Sequence, residues 1–137
     1  MRNVPPGTKG TYSFTVFDRH LANATDPSDP ILLPVLASKE MILGMEFAAM
    51  DAIRKFLDPG ETTAGIGFDI QHLAATPPGH RVHVEAELLK HEGKRLEFQV
   101  RAFDETEQIG SGIHARSLIY SAKFNERAKA KAKKTGS

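Results

Sequence analysis

The chain has 137 residues and 15.0 kDa, with 40% hydrophobic and 26% charged residues, a balance that fits one globular domain and argues against disorder. No apolar run approaches a membrane span, and the opening Met1-Arg2-Asn3-Val4-Pro5-Pro6-Gly7 lacks the apolar stretch of a signal peptide. With no cysteine there is neither a disulfide framework nor a thiolate site, which fits a reducing cytoplasm as the expected compartment.

The formal net charge of +1 hides an asymmetry. Residues 125–137 carry Arg127, Lys129, Lys131, Lys133 and Lys134 against Glu126, while the rest of the chain is net acidic. This segment is expected to be a basic, flexible tail behind a domain spanning residues 1–124. Such a tail could meet phosphate groups, but the body has no basic stripe with interleaved aromatics, so nucleic acid is not an expected partner.

In chain order, Thr11–Phe17 alternates and is rich in β-branched and aromatic residues, the pattern of a first strand. Residues 18–37 hold three prolines and the apolar Ile31, Leu32 and Leu33, the composition of a lid-like loop or of one packed over the core edge. From Ser38 to Leu57 the period becomes helical, and Asp58-Pro59-Gly60 ends it. Four segments of strand character follow. Thr62–Ala74 precedes an "ATPPG" turn. Arg81–Lys90 alternates, with Val82, Val84, Ala86 and Leu88 on one face. Leu96, Phe98, Val100 and Ala102 do the same in the next segment, and Ile109–Tyr120 is the last. Short turns between these four predict antiparallel neighbours. The order predicts an α+β domain, one long central helix wrapped by a five-stranded antiparallel sheet, which is the hotdog fold. Its open sheet edge predicts a homodimer or a higher assembly.

Within the helix, "ILGMEFAAM" places one carboxylate, Glu46, among apolar residues. At 100° per residue Glu46 lies with Ile42, Met50, Ile53 and Leu57, so it is expected at the centre of the apolar stripe, pointing inward. An inward carboxylate is costly unless it is paired or hydrogen-bonded, and such groups gather at catalytic centres. A structural account, a hydrogen bond or ion pair within the core, also fits.

By period two, Ile66, Phe68, Ile70, His72 and Ala74 share one strand face, so His72 is a polar group on the helix-facing side. Alone it reads as a satisfied core histidine. Beside an inward Glu46 it becomes one half of an acid–base pair. His20, His80, His83, His91 and His114 lack this context, and neither histidine nor carboxylate spacing suggests a metal site. Ser38 stands where a helix N-cap is expected, or where free N–H groups can face an oxyanion. Gly65 and Gly67 allow close backbone approach of a ligand, or merely distort the strand. The face taken by Arg116 stays open.

The stretches "VLASKEMILGMEFAAMDAI", "IQHLAATPPG", "EQIGSGIHAR" and "KFNERA", from Val35 to Phe124, resemble the hotdog thioesterases of the fluoroacetyl-CoA thioesterase type. The resemblance implies a homodimer that hydrolyses a short acyl-CoA thioester, with CoA as part of the substrate and no separate cofactor. It places the catalytic hydroxyl, carboxylate and histidine on Ser38, Glu46 and His72, and substrate contacts on Gly65 and Arg116. The apolar loop adds Leu32 as a candidate substrate contact. Two departures count: serine stands at a threonine position, and Ile31-Leu32-Leu33 replace aromatic character, so selectivity for fluorine is not expected to carry over. The alternative is a hotdog dimer that binds an acyl-CoA or small ligand without cleaving it.

Eight residues of regular helix would separate Ser38 from Glu46 by about 12 Å. The reading that unites them starts the regular helix between Met41 and Gly44, with Ser38 on a loop folding back.

Overall fold

A computed structural model of the chain describes residues 1–134. Its elements are β1 (Lys9–Thr15), α1 (Ser38–Ile53) continued by a 3-10 turn at Arg54–Phe56, β2 (Glu61–His72), β3 (Arg81–Glu92), β4 (Arg95–Phe103), β5 (Gln108–Tyr120) and α2 (Ser121–Lys134). The fold is the hotdog arrangement: five antiparallel strands curl around α1.

The sheet order is β1-β3-β4-β5-β2, and every neighbouring pair is antiparallel. Pairing of β2 with β3, expected from their short separation, is therefore corrected. Residues 73–80 instead cross the end of the sheet, past the β4–β5 turn, and β2 becomes an edge strand bonded to β5 alone. One side chain pins the crossing. Thr76, wholly buried, donates its hydroxyl to Asp104 Oδ2 at 2.9 Å, and Asp104 also caps Thr106 and Glu107 in that turn. Burial alone raises the Asp104 pKa. The hydrogen bonds from Thr106, Glu107 and Thr76 outweigh it and hold the carboxyl below its usual range.

β3 and β4 bury the residues their alternation marked: Val82, Val84, Ala86, Leu88, Leu96, Phe98, Val100 and Ala102 are all closed to solvent. Against them lies a helix meridian of small and flexible residues, Met41, Gly44, Met45, Ala48, Ala49 and Ala52. The approach is closest at Gly10, where a Cβ would overlap the backbone of Ala48 and Ala52. Small residues let the helix sit this deep, so its buried centre runs through alanines and glycine, not through Ile42, Met50 and Leu57.

That placement corrects the wheel. Glu46 stands about a third of a turn from the buried centre, on the flank facing β2 and β5. It is half-buried, with a side chain 27% exposed.

The loop of residues 18–37 is closed at its base. Leu21 bridges Leu36, Ala22 N–H donates to the Val35 carbonyl, and Ala37 N–H donates to the His20 carbonyl. Its far end leaves Ile31 82% and Leu33 60% exposed. The basic segment continues β5 as α2, so its described part, through Lys134, is helical; residues 135–137 of the expected tail lie outside the described residues. Among the described residues no helix is long and apolar enough to cross a membrane.

Candidate active site

Ser38 is the first residue of α1, and the N-cap is Ala37, which offers no side-chain acceptor. Both sequence expectations for Ser38 are thereby corrected: it is not the cap, and the helix is regular from Ser38 onward. The Ser38 hydroxyl is free to turn elsewhere, and it lies 2.8 Å from His72 Nδ1. His72, at the end of β2, is on the helix-facing side as its parity predicts. Its Nε2 is buried and has no hydrogen-bond partner among the described residues. Ser38, His72 and Leu32 line one cleft of about 520 Å³, walled also by Ile31, Val35, Leu73 and Ala74. A hydroxyl on an imidazole, at the end of an apolar cleft and beside the uncapped first turn of a helix, can move a proton next to a developing oxyanion.

Glu46 sits elsewhere. No hydrogen bond or ion pair joins it to His72 or Ser38 within the chain; its partner is Arg116, whose Nη1 donates to Glu46 Oε2 at 3.0 Å. The expected Glu46–His72 pair is thus not formed inside one chain. The cause is the one anticipated from helix rise: α1 is regular, so eight residues carry Glu46 about 12 Å from Ser38. β2 runs antiparallel to α1 alongside it, so Ser38 meets His72 while Glu46 meets Gly65.

Gly65 is a glycine of necessity. A Cβ there would lie 2.7 Å from Glu46 Oε2 and 3.1 Å from the Phe68 ring. A β-bulge between Gly65 and Gly67 breaks the expected alternation, so Ile66 does not share the regular face of Phe68, Ile70 and His72, and it is 51% exposed.

Arg116 takes the inner face of β5 and is 3% exposed. Its Nε and Nη2 donate to the Thr63 hydroxyl and carbonyl, both at 2.8 Å, while Nη1 serves Glu46 and His114. Four of its five N–H donors are held by the protein. Burial lowers its pKa, and the hydrogen bond and charge of Glu46 oppose that.

His114 was passed over in the sequence. It is wholly buried, with Nδ1 3.0 Å from the Gly67 carbonyl and Nε2 3.1 Å from Arg116 Nη1. Burial pushes its pKa below the ordinary histidine range; the Arg116 charge acts the same way, against the Gly67 hydrogen bond. The available signal was parity: His114 and Arg116 are two residues apart, and His114 pairs across β4 with the core residue Phe98.

Residues 16–122 match the family of fluoroacetyl-CoA-specific thioesterases. A fluoroacetyl-CoA thioesterase of Streptantibioticus cattleyicolor is 38% identical over 128 residues, 91% of this chain and 92% of that protein. The solved structure of the fluoroacetyl-CoA thioesterase FlK superposes with a TM-score of 0.87 at 37% identity, covering 93% of this chain and 97% of the other. A Thermus thermophilus thioesterase superfamily member gives the same TM-score, 0.87, at 28% identity over 99% of this chain and 98% of its own. With these matches spanning nearly its whole length, the chain belongs to the fluoroacetyl-CoA-specific thioesterase family.

Proposed function

We propose that the protein hydrolyses the thioester of a small acyl-CoA to the free acid and CoA, with Glu46, His72 and Ser38 as the reacting centre. The observation that carries this is the Ser38–His72 hydrogen bond at the end of an apolar cleft, in a chain 38% identical to a fluoroacetyl-CoA thioesterase. Glu46 deprotonates the water that attacks the carbonyl carbon, or attacks it first and forms an acyl anhydride that a water then cleaves to release the acid and restore Glu46. His72, steered by Ser38 through Nδ1, protonates the departing thiolate. The N–H groups of the first turn of α1, without a side-chain cap, receive the oxyanion. Ile31, Leu32 and Val35 give the acyl group an apolar wall. The chemistry calls for no cofactor beyond the CoA of the substrate, and the cysteine-free composition supports a cytoplasmic setting.

Two half-sites about 12 Å apart on one chain need a second copy. β2 is an open edge that exposes Phe68 at 46%, Leu73 at 53% and, from β5, Ile113 at 37%. Two β2 strands laid antiparallel about a two-fold axis between Phe68 and Asp69 set each His72 opposite the second copy's Gly65, and therefore beside its Glu46. This homodimer gives two composite sites.

The test is release of free thiol from acyl-CoAs of graded length, halogenation and aromaticity. Two-carbon thioesters are expected to react fastest, and both Glu46→Gln and His72→Ala to lose at least about 100-fold in kcat while remaining folded. Mixing those two inactive variants is expected to restore up to about a quarter of wild-type activity, because a heterodimer carries one intact composite site. Binding of acyl-CoAs with a raised Tm but no thiol release would establish the non-catalytic binder instead.

A further inference from the structure

We propose that His114 is a positioning residue: held as a neutral imidazole, it fixes Arg116 so that Arg116 fixes Glu46, leaving Glu46 Oε1 free for the reaction. This rests on Glu46 being the working carboxylate of the proposed hydrolysis.

The tautomer follows from the partners. The Gly67 carbonyl can only accept, so His114 Nδ1, 3.0 Å away, carries the hydrogen and Nε2 carries the lone pair. That lone pair lies 3.1 Å from Arg116 Nη1, the same nitrogen that donates to Glu46 Oε2 at 3.0 Å. The ring cannot easily turn to offer anything else. It stacks on Phe68 with centroids 4.4 Å apart and on Phe98 at 6.4 Å. Thr63 holds the guanidinium from its other side through Nε and Nη2, so both Nη1 hydrogens are committed, one to each partner. Of the two Glu46 oxygens only Oε2 is engaged; among the described residues Oε1 has no hydrogen bond. A phenylalanine at 114 is somewhat larger but keeps an aromatic ring against Phe68 and Phe98. It lacks both the Nδ1–H that donates to the Gly67 carbonyl and the Nε2 acceptor, so a buried N–H of Arg116 is left unpaired, and restoring the acceptor alone isolates its part. An imidazolium there would repel Arg116, and burial keeps the ring neutral.

The test uses the full-length protein with acetyl-CoA or fluoroacetyl-CoA, whichever the wild type turns over faster. His114→Phe is expected to lower kcat by about 10- to 100-fold with KM within about two-fold, since it disturbs a group acting in the transition state. His114→Gln, whose amide oxygen reaches the position of Nε2, is expected to recover most of that loss. A long-range 1H–15N correlation spectrum of the wild type is expected to show His114 as the neutral Nδ1–H tautomer. This spectrum decides the matter should His114→Phe fail to fold by circular dichroism. Wild-type kcat in folded His114→Phe overturns the positioning role, as does a folded His114→Gln no better than His114→Phe, or an Nε2–H or imidazolium signal. Wild-type kcat in Glu46→Gln overturns the underlying hydrolytic role of Glu46 instead, so the two failures are told apart.

Discussion

Glu46 Oε2 and Arg116 Nη1, 3.0 Å apart, form the contact that ties the central helix to the inner face of β5. Arg116 is closed to solvent and the Glu46 side chain is 27% exposed, so the pair faces the protein on one side and the open β2 edge on the other. A carboxylate with one oxygen anchored and one unengaged is oriented without being used up.

Gly65→Ala tests that orientation directly. The added Cβ would stand 2.7 Å from Glu46 Oε2, the mobile end of a side chain, and 3.3 Å from His114 Cε1. Glu46 yields more easily than backbone, so the fold is expected to survive with a Tm loss of a few degrees. Thiol release is expected to fall at least about 10-fold as Glu46 leaves Arg116. Steady-state kinetics beside a melting curve separates the two effects; unchanged kcat would show that Glu46 need not stay where it is.

At the other half-site, Ser38→Ala removes the only hydrogen-bond partner that His72 Nδ1 has among the described residues. The expected loss in kcat is about 10- to 100-fold, the scale of a misdirected general acid. Ser38→Thr keeps Oγ and costs only a few tenths of a kcal/mol of helix propensity, so it is expected to retain activity. Equal rates for Ala and Thr variants would take Ser38 out of the chemistry.

The His114 environment gives stability a direction with pH. Its native pKa lies below the ordinary 6.5, held down first by burial and then by Arg116, while Glu46 and the Gly67 carbonyl oppose. The unfolded chain takes up a proton as pH drops below about 6.5 and the native chain refuses it, so stability is full above that pH and declines below it toward the native pKa. Melting curves across this range are expected to show Tm falling on the acid side, with a shallower fall in His114→Phe. An identical slope in both proteins would contradict this.

Gly10→Ala probes the depth at which α1 sits. Its Cβ would overlap backbone atoms of Ala48 and Ala52, which cannot swing aside as a side chain can. The expected cost is about 3 kcal/mol or more, a Tm loss of roughly 10 °C. A substitution at Gly79, where nothing lies within 4 Å although φ is 93°, serves as the strain-only control.

The sequence by itself determined the five strands and α1, though not α2 in the basic segment, because periodicity reports burial one element at a time. The alternation in β3 and β4 marked a core that is in fact closed, and parity placed His72 on the helix side, where the fold sets it against Ser38 and not Glu46. Tertiary structure decided what periodicity cannot weigh. The helix meridian follows its smallest residues because backbone approaches at Gly10, and this turned Glu46 from the centre to the flank. A bulge at Gly65–Gly67 reset the strand face, and β5 put His114 and Arg116 inward, a face that parity alone left open. Whether a buried polar group is affordable depends on a partner distant in sequence, Thr63 or Glu46 for Arg116, and only the folded chain brings that partner within hydrogen-bonding distance.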